Sequence, residues 1–510
     1  MQTAEIRVGK RIAALSPYIF GGLVEHLGYA IYGGAWDQNK GGPRADVKAA
    51  VSTLSPTMLR YPGGCFSAWY HWTDGVGPKP RKHYDRTFWT DFRFGDRVGE
   101  DLSRRLGPPE TNEFGTDEFL QYCLDVDAEP LLVANFGTGT PDEAAGWVRY
   151  CNTDGKSPRQ VAWWAVGNET YGGWELGHCP PDQYAAGLVQ FSDAMRAVDP
   201  SIKIVGVGCA DSGNPEYEQS WNETVLTRAR SAVDALSVHW YFPGPGFDRA
   251  LCESETDYLQ VATGSDDLGA MLDRVSAIND RVSPGRPVPL SLDEWNLWGI
   301  WEELLHTNAR LSDALFFAGC YNRMIERADR VKLAMISQLV NCMAPIQTRG
   351  ENMFVTSGYL VGLMYREASR KDAHEVDVAT DSLDVKPFED TPPYDAPLAS
   401  TPLTAHRRSP AVDAACSSDG SGTTVFIANR KLDEPAKVTV IGLPPDRPGR
   451  FQYVWGPDTF SVNSAAHPET LGIREFPIDT DSSGRAIFQV PPHTCGALIV
   501  PSTVGSDPNA

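Results

Sequence analysis

The sequence predicts an α/β chain: a (β/α)8 TIM barrel followed by a C-terminal β-sandwich of jelly-roll-like character. Three observations predict it. Short apolar segments recur eight times with helix-like stretches between them, each apolar segment ends in polar residues or glycine, and near residue 370 the texture changes to closely spaced strand-like runs. Strands alternating with helices are the pattern of a parallel barrel, whereas strands separated only by turns are that of a sandwich.

The eight segments are YIFGGLVE (18–25), TMLRYPGG (57–64), PLLVANFG (130–137), VAWWAVGNE (161–169), IKIVGVGC (202–209), ALSVHWYF (235–242), VPLSLDEWN (288–296) and VKLAMISQLV (331–340). A run such as VAWWAVG lacks the polar alternation of a half-exposed strand and reads as buried on both faces. Between the strands, PDEAAGWVRYCN and PDQYAAGLVQFSDAMRAV carry apolar residues at helical spacing behind an acidic first turn. The stretch from His71 to Gly115 is too long and too rich in Gly, Pro, Arg and aromatics for a simple connection, so it reads as an elaborated loop over the barrel mouth. VKPFEDTPPYDAPLAS (385–400) is linker-like, and TTVFIANR, AKVTVIGL, RFQYVWG, AIFQVPPHT and ALIVP read as sandwich strands, with AEIRVG at the start a candidate member. The expected division is residues 1–15 as a strand joining the sandwich, 16–370 as the barrel and 371–510 as the sandwich.

Composition narrows the partners. Lys+Arg 45 against Asp+Glu 66 gives a formal charge of -21, which repels phosphate backbones and anionic membranes and argues against nucleic acid or membrane as a partner. No apolar run approaches the roughly 20 residues that cross a bilayer, and MQTAEIRVGKRIAAL has no signal-peptide pattern, so a cytoplasmic protein is expected. The ten cysteines contain no C-x-x-C pair, which fits reduced thiols and neither a zinc site nor a disulfide framework. GVGCADSG lacks the third glycine of a dinucleotide fingerprint, and the NET triplets at Asn168 and Asn222 match the glycosylation sequon.

In such barrels the chemistry sits where the strands end. The ends carry Glu25, Arg60, Asn135, Asn168, Glu169, His239, Tyr241, Glu294, Trp295 and Gln338. Glu169 and Glu294 end candidate strands four and seven, which face each other across the mouth. Breaking a glycosidic bond needs one carboxyl to protonate the leaving oxygen and another to attack or to activate water, and a retaining enzyme holds the two about 5 to 5.5 Å apart. Asn168 supplies an amide for a sugar 2-hydroxyl, and His239 and Tyr241, alternating on one strand, face the same side and can orient a carboxylate. Trp36, Tyr171, Trp174, Trp295 and Trp298 suit stacking on sugar faces.

The motifs GGLVEHLGYAIYGG, LRYPGGCFSAWYHWTDGVGP, WWAVGNETYGGWELGH, SVHWYF, SLDEWNLWG and ADRVKLAMISQLVN occur in that order along the barrel. Together they resemble glycoside hydrolase family 51, the α-L-arabinofuranosidases. The resemblance implies Glu169 as general acid/base, Glu294 as nucleophile, and net retention through a covalent arabinofuranosyl-enzyme. It implies Glu25, Asn168 and Gln338 as ligands of sugar hydroxyls, His239 and Tyr241 as supporting residues, no metal or organic cofactor, and a homo-oligomer, often a hexamer. Cys65 stands where many relatives have Asn in PGGNF, in a loop that binds sugar hydroxyls, and a thiol is the smaller and weaker hydrogen-bond partner. The segment after Glu294, GIWEELLHTNARLSDAL, reads as shorter than in relatives, which would open the aglycone side.

The expected activity is exo-acting release of terminal arabinofuranose from arabinan- or arabinoxylan-type oligosaccharides. A β-D-galactofuranosidase is the alternative, since that sugar keeps the ring stereochemistry and lengthens only the exocyclic tail. Two remoter alternatives are a non-catalytic carbohydrate-binding barrel, against which both glutamates speak, and a phosphate-handling enzyme, for which QLVNCMAPIQ supplies no Gly-rich cradle.

Overall fold

The computed structural model describes residues 2–502 except 92–94, 97, 211–213, 245–253, 300–303, 306–308 and 388–405. The linker-like segment falls mostly outside the described residues, as does much of the segment after Glu294.

Each of the eight apolar segments contributes one strand to a closed, all-parallel barrel. Strands one to eight are Gly21–Leu23, Met58–Tyr61, Glu129–Ala134, Trp163–Val166, Lys203–Val207, Ala235–Pro243, Leu290–Trp298 and Val331–Ile336. The first is shorter than its apolar run because Pro17 opens a 3-10 turn over Pro17–Ile19, capped by Ser16, whose hydroxyl accepts from the Tyr18 N–H. The two helix-like stretches form helices Pro141–Asn152 and Pro181–Val198, each with proline in its first turn.

Alternation along the strands separates two packing layers. Met58, Leu131, Val133, Ala165, Val205, Leu333 and Met335 fill the barrel interior, whereas Leu59, Leu132, Trp164, Ile204 and Leu236 point outward under the helices. The interior is therefore apolar through its lower layers, and only the layer at the strand ends is polar. In strand seven one extra residue intervenes between Ser291, paired with Ser237, and Glu294, paired with His239. This bulge breaks the alternation and lets Asp293 and Glu294 both approach Arg60 of strand two, at 3.3 and 2.6 Å.

The C-terminal sandwich is one nine-stranded sheet curled on itself. Its end strands, Gly472–Asp479 and Arg485–Val490, meet through Phe476 and Phe488, whose ring centroids lie 6.4 Å apart. Gln2–Ala14 lies inside this sheet, antiparallel to Asp372–Ala379 and parallel to Ala436–Ile441. The concave face encloses Ile6, Val425, Val438, Phe451 and Leu498, and the other face presents Phe426, Ala428 and Ile499 to the barrel. Tyr365, on helix Ser357–Ala368, stacks on Phe426 at 4.1 Å. Asp413 of the sheet accepts from Asn322 and pairs with Arg323 of helix Asp313–Glu326.

The long loop after strand two does cover the mouth. Its Phe88, Trp89, Leu102 and Leu106 pack with Leu27, Leu304, Cys342 and Met343, and the Trp89 indole donates to the His26 carbonyl at 2.7 Å.

Candidate active site

At the polar end of the barrel the carboxylates of Glu169 and Glu294 come together. Glu169, Glu294 and His239 each bring a side-chain atom into a group within 4.8 Å of one another. Each glutamate is held at both oxygens. Glu169 Oε1 is 2.8 Å from His239 Nδ1, and its Oε2 accepts from the Trp174 indole at 2.7 Å. Glu294 Oε1 accepts from Arg60 Nη1 at 2.6 Å and its Oε2 from the Tyr241 hydroxyl at 2.8 Å.

The backbone at both positions is specialised. Glu169 follows Gly167 (φ 80°) and itself adopts φ 41°, a left-handed conformation that a non-glycine residue holds only when its surroundings impose it. Opposite, Gly63 and Gly64 let the chain run against two acids: a Cβ on Gly63 would lie 2.3 Å from Glu25 Cγ, and one on Gly64 would lie 2.5 Å from Glu294 Oε1.

Glu25 sits under this turn. Its Oε1 accepts from the Gly64 and Phe66 N–H groups at 2.9 and 3.1 Å, and its Oε2 from Gln338 Nε2 at 2.7 Å. Burial and the nearby Glu294 charge push its pKa up to about 7 despite those three donors. Burial pushes the Glu169 carboxyl up too, but the hydrogen bond and charge of His239, with Trp174, outweigh it and leave the carboxyl below its usual range. Burial alone would strip the proton from His239. The carboxylates of Glu294, Glu169 and Asp293 more than offset that and raise its pKa to about 9. Tyr241 is held well above its usual value by burial and by Glu294, so it stays a donor.

Asn168 is oriented from both ends: its Oδ1 accepts from Arg60 Nη2 at 2.8 Å, and its Nδ2 donates to Glu175 Oε1 at 2.9 Å and lies 3.9 Å from Cys65 Sγ. Burial pushes the Cys65 thiol well above its ordinary pKa, with Glu175, Glu169 and Glu25 adding to the effect, so it is a packing group and not a nucleophile. Among the described residues two donor sets have metal-ligand spacing, Glu169/His239/Glu294 and Cys65/Glu169/Glu175. In the first, the Arg60 guanidinium and the imidazole already balance the carboxylates.

The eight site residues expected from the sequence, Glu25, Cys65, Asn168, Glu169, His239, Tyr241, Glu294 and Gln338, thus converge on one place. Others do not. Trp36 and Trp295 are buried, packed on Phe114 and on Phe317 and Tyr321, so neither is a sugar-stacking face. Trp174 meets Glu169 through its indole N–H. Asn135 braces its own loop, donating to the Tyr70 carbonyl and accepting from the Thr138 and Gly139 N–H groups. Asn222 is fully buried and bonded to the Cys209 backbone, which rules out glycosylation of the folded protein there. Sequence reasoning missed Asp293, Glu175 and the weight of Arg60. Only Arg60 left a signal, a charge inside the apolar run MLRY that has to be paired when buried.

A parallel barrel that presents two such closely approaching carboxyls at the ends of strands four and seven has the layout of a glycoside hydrolase. Comparison narrows this class. Residues 50–248 match the family described as "Alpha-L-arabinofuranosidase 1 domain" and residues 293–494 that described as "Alpha-L-arabinofuranosidase C-terminal domain". A probable alpha-L-arabinofuranosidase C of Aspergillus fumigatus is 32% identical over 374 residues, covering 67% of this chain and 70% of that one. An intracellular exo-alpha-(1->5)-L-arabinofuranosidase of Acetivibrio thermocellus is 31% identical over 392 residues, covering 68% and 72%. The solved GH51 alpha-L-arabinofuranosidase of Thermotoga petrophila superimposes with a TM-score of 0.79 at 28% identity, covering 98% of this chain and 100% of that one. The chain belongs to glycoside hydrolase family 51, the α-L-arabinofuranosidases.

Among the described residues, no helix is long and apolar enough to cross a membrane.

Proposed function

We propose that this enzyme removes terminal α-L-arabinofuranosyl residues from arabinan- or arabinoxylan-type oligosaccharides by double displacement. Glu294 is the nucleophile and Glu169 the general acid/base. The observation that carries the reading is the approach of these two carboxylates within 4.8 Å, the spacing of a pair that works without room for a water between acid and nucleophile.

In the first step Glu294 attacks the anomeric carbon while Glu169 protonates the leaving oxygen. The proton is supplied from the Glu169 and His239 pair, whose atoms are 2.8 Å apart. Arg60 and Tyr241 hold the Glu294 oxygens in line for attack, so little reorganisation accompanies the reaction. In the second step Glu169, now a carboxylate, takes a proton from water as it attacks the glycosyl-enzyme, and Glu294 leaves. Glu25, Gln338 and Asn168 bind the furanose hydroxyls around this line, the Asn168 N–H that points to Cys65 Sγ at 3.9 Å exchanging that weak acceptor for the 2-hydroxyl. The proposal extends to a cytoplasmic setting and a homo-oligomer, the first supported by the "intracellular" in one relative's name and the second by the family resemblance.

Initial rates on p-nitrophenyl α-L-arabinofuranoside, β-D-galactofuranoside and β-D-xylopyranoside test the glycone. The arabinofuranoside is expected to be strongly preferred. Preference for the galactofuranoside would overturn the assignment and place the longer tail beside Cys65.

A further inference from the structure

We propose that Glu175, which takes no part in bond making, is a positioning residue that orients the Asn168 amide and prolongs the protonation of the Glu169–His239 pair as pH rises. This extends the reading of Glu169 as the acid and depends on it. Glu175 lies six residues beyond Glu169, in a loop whose turns (Gly172 N–H to Glu169 carbonyl, Glu175 N–H to Gly172 carbonyl) fold it back beneath the acid. It is fully buried, one of its oxygens has no hydrogen-bond partner among the described residues, and the other accepts from Asn168. Its carboxylate, that of Glu169 and the Cys65 thiol all bring atoms within 4.8 Å of one another. A carboxyl placed so is not a structural ion pair, for among the described residues no cation reaches it. The Arg60 guanidinium faces Asn168 and Glu294 instead, and the His239 imidazole faces Glu169.

Two carboxyls at this distance do not ionise independently. Burial, and next the charge of Glu169, push Glu175 up to about 8, with Glu294 adding to the rise and the Cys65 and Asn168 hydrogen bonds opposing it. The effect is reciprocal. When Glu175 ionises, its charge makes the proton shared by Glu169 and His239 harder to remove, and since the imidazole is raised to about 9 the pair stays usable as the acid further into the basic range. A glutamine at the same place would keep the Asn168 contact and lose this support.

The test is the pH dependence of kcat/KM for wild type, Glu175→Gln and Glu175→Asp, on an arabinofuranosyl oligosaccharide and on a dinitrophenyl arabinofuranoside. On the oligosaccharide, Glu175→Gln is expected to move the basic limb to lower pH by about one unit, from the mutual repulsion of nearby carboxylates. Glu175→Asp should return it. The wild-type limb itself should spread over a wider pH range than one ionisation produces, a result that needs no variant to fold. Coincident limbs, or a uniform loss at every pH, would overturn the proposal. The dinitrophenyl leaving group needs no protonation, so a wild-type limb identical on both substrates would refute the acid role of Glu169 and the proposal with it, whereas wild-type limbs that differ between substrates but do not move in Glu175→Gln would refute the role of Glu175 alone.

Discussion

Replacing Gly64 by alanine tests whether the nucleophile is positioned as described. The new Cβ would lie 2.5 Å from Glu294 Oε1, whereas ordinary contact begins at 3.4 Å, so something must move by about 0.9 Å. The carboxylate cannot retreat freely, because Arg60 and Tyr241 hold it at 2.6 and 2.8 Å. If the backbone moves instead, the Gly64 N–H leaves Glu25. Misplacing a reacting group by about 1 Å lowers the rate by about 10²-fold, or about 2.7 kcal/mol in the barrier. Steady-state kinetics on p-nitrophenyl α-L-arabinofuranoside should therefore show at least that loss, chiefly in kcat. Gly173→Ala is the control: it lies in the loop after Glu169, and its Cβ would meet nothing within 4 Å. A Gly64→Ala enzyme within about threefold of wild type would refute the positioning argument, since threefold corresponds to well under the expected barrier change.

Glu294→Ala should abolish turnover on every substrate, while Glu169→Ala should lose roughly 10²–10⁴-fold on oligosaccharides and far less in glycosylation by activated aryl glycosides, with azide, which needs no base, restoring turnover. Equal losses of Glu169→Ala on both substrate types in single-turnover kinetics would remove its acid role. Glu25→Gln should weaken substrate binding and yet stabilise the protein at alkaline pH. The folded pKa of Glu25, about 7, lies above its ordinary value of 4.5, so its contribution to stability is fully present below pH 4.5 and is lost as pH rises through 7. The melting-temperature gain of the variant over wild type should be larger at pH 8 than at pH 5, and an equal difference at both would refute it.

What was legible in the sequence follows from burial. Barrel strands such as Trp163–Val166, buried on both faces, appear as unbroken apolar runs, and the acids that end them stand out by contrast. Strands Asp372–Ala379 and Gly472–Asp479 escaped notice because much of their surface faces solvent and their sequences, DAHEVDVA and GIREFPID, carry charge. A tryptophan beside a catalytic glutamate reads as a sugar platform, yet Trp295 alternates to the outside of the barrel and packs beneath a helix. Glu175 was hidden because GGWELGH carries no period, and its neighbour Cys65 comes from the end of another strand, far away in the sequence.

The strand Gln2–Ala14 has its partners at the far end of the chain, with Glu5 opposite Ala379 and Thr439. A ribosome adding about 5–20 residues per second delivers the first of these roughly 20–75 s after Glu5 itself. Throughout that interval the nascent chain carries a strand with both edges open and one apolar face, Ala4, Ile6 and Val8, uncovered, an aggregation hazard of the kind holding chaperones shield. Until residues 372–379 have emerged, this strand has no sheet to join.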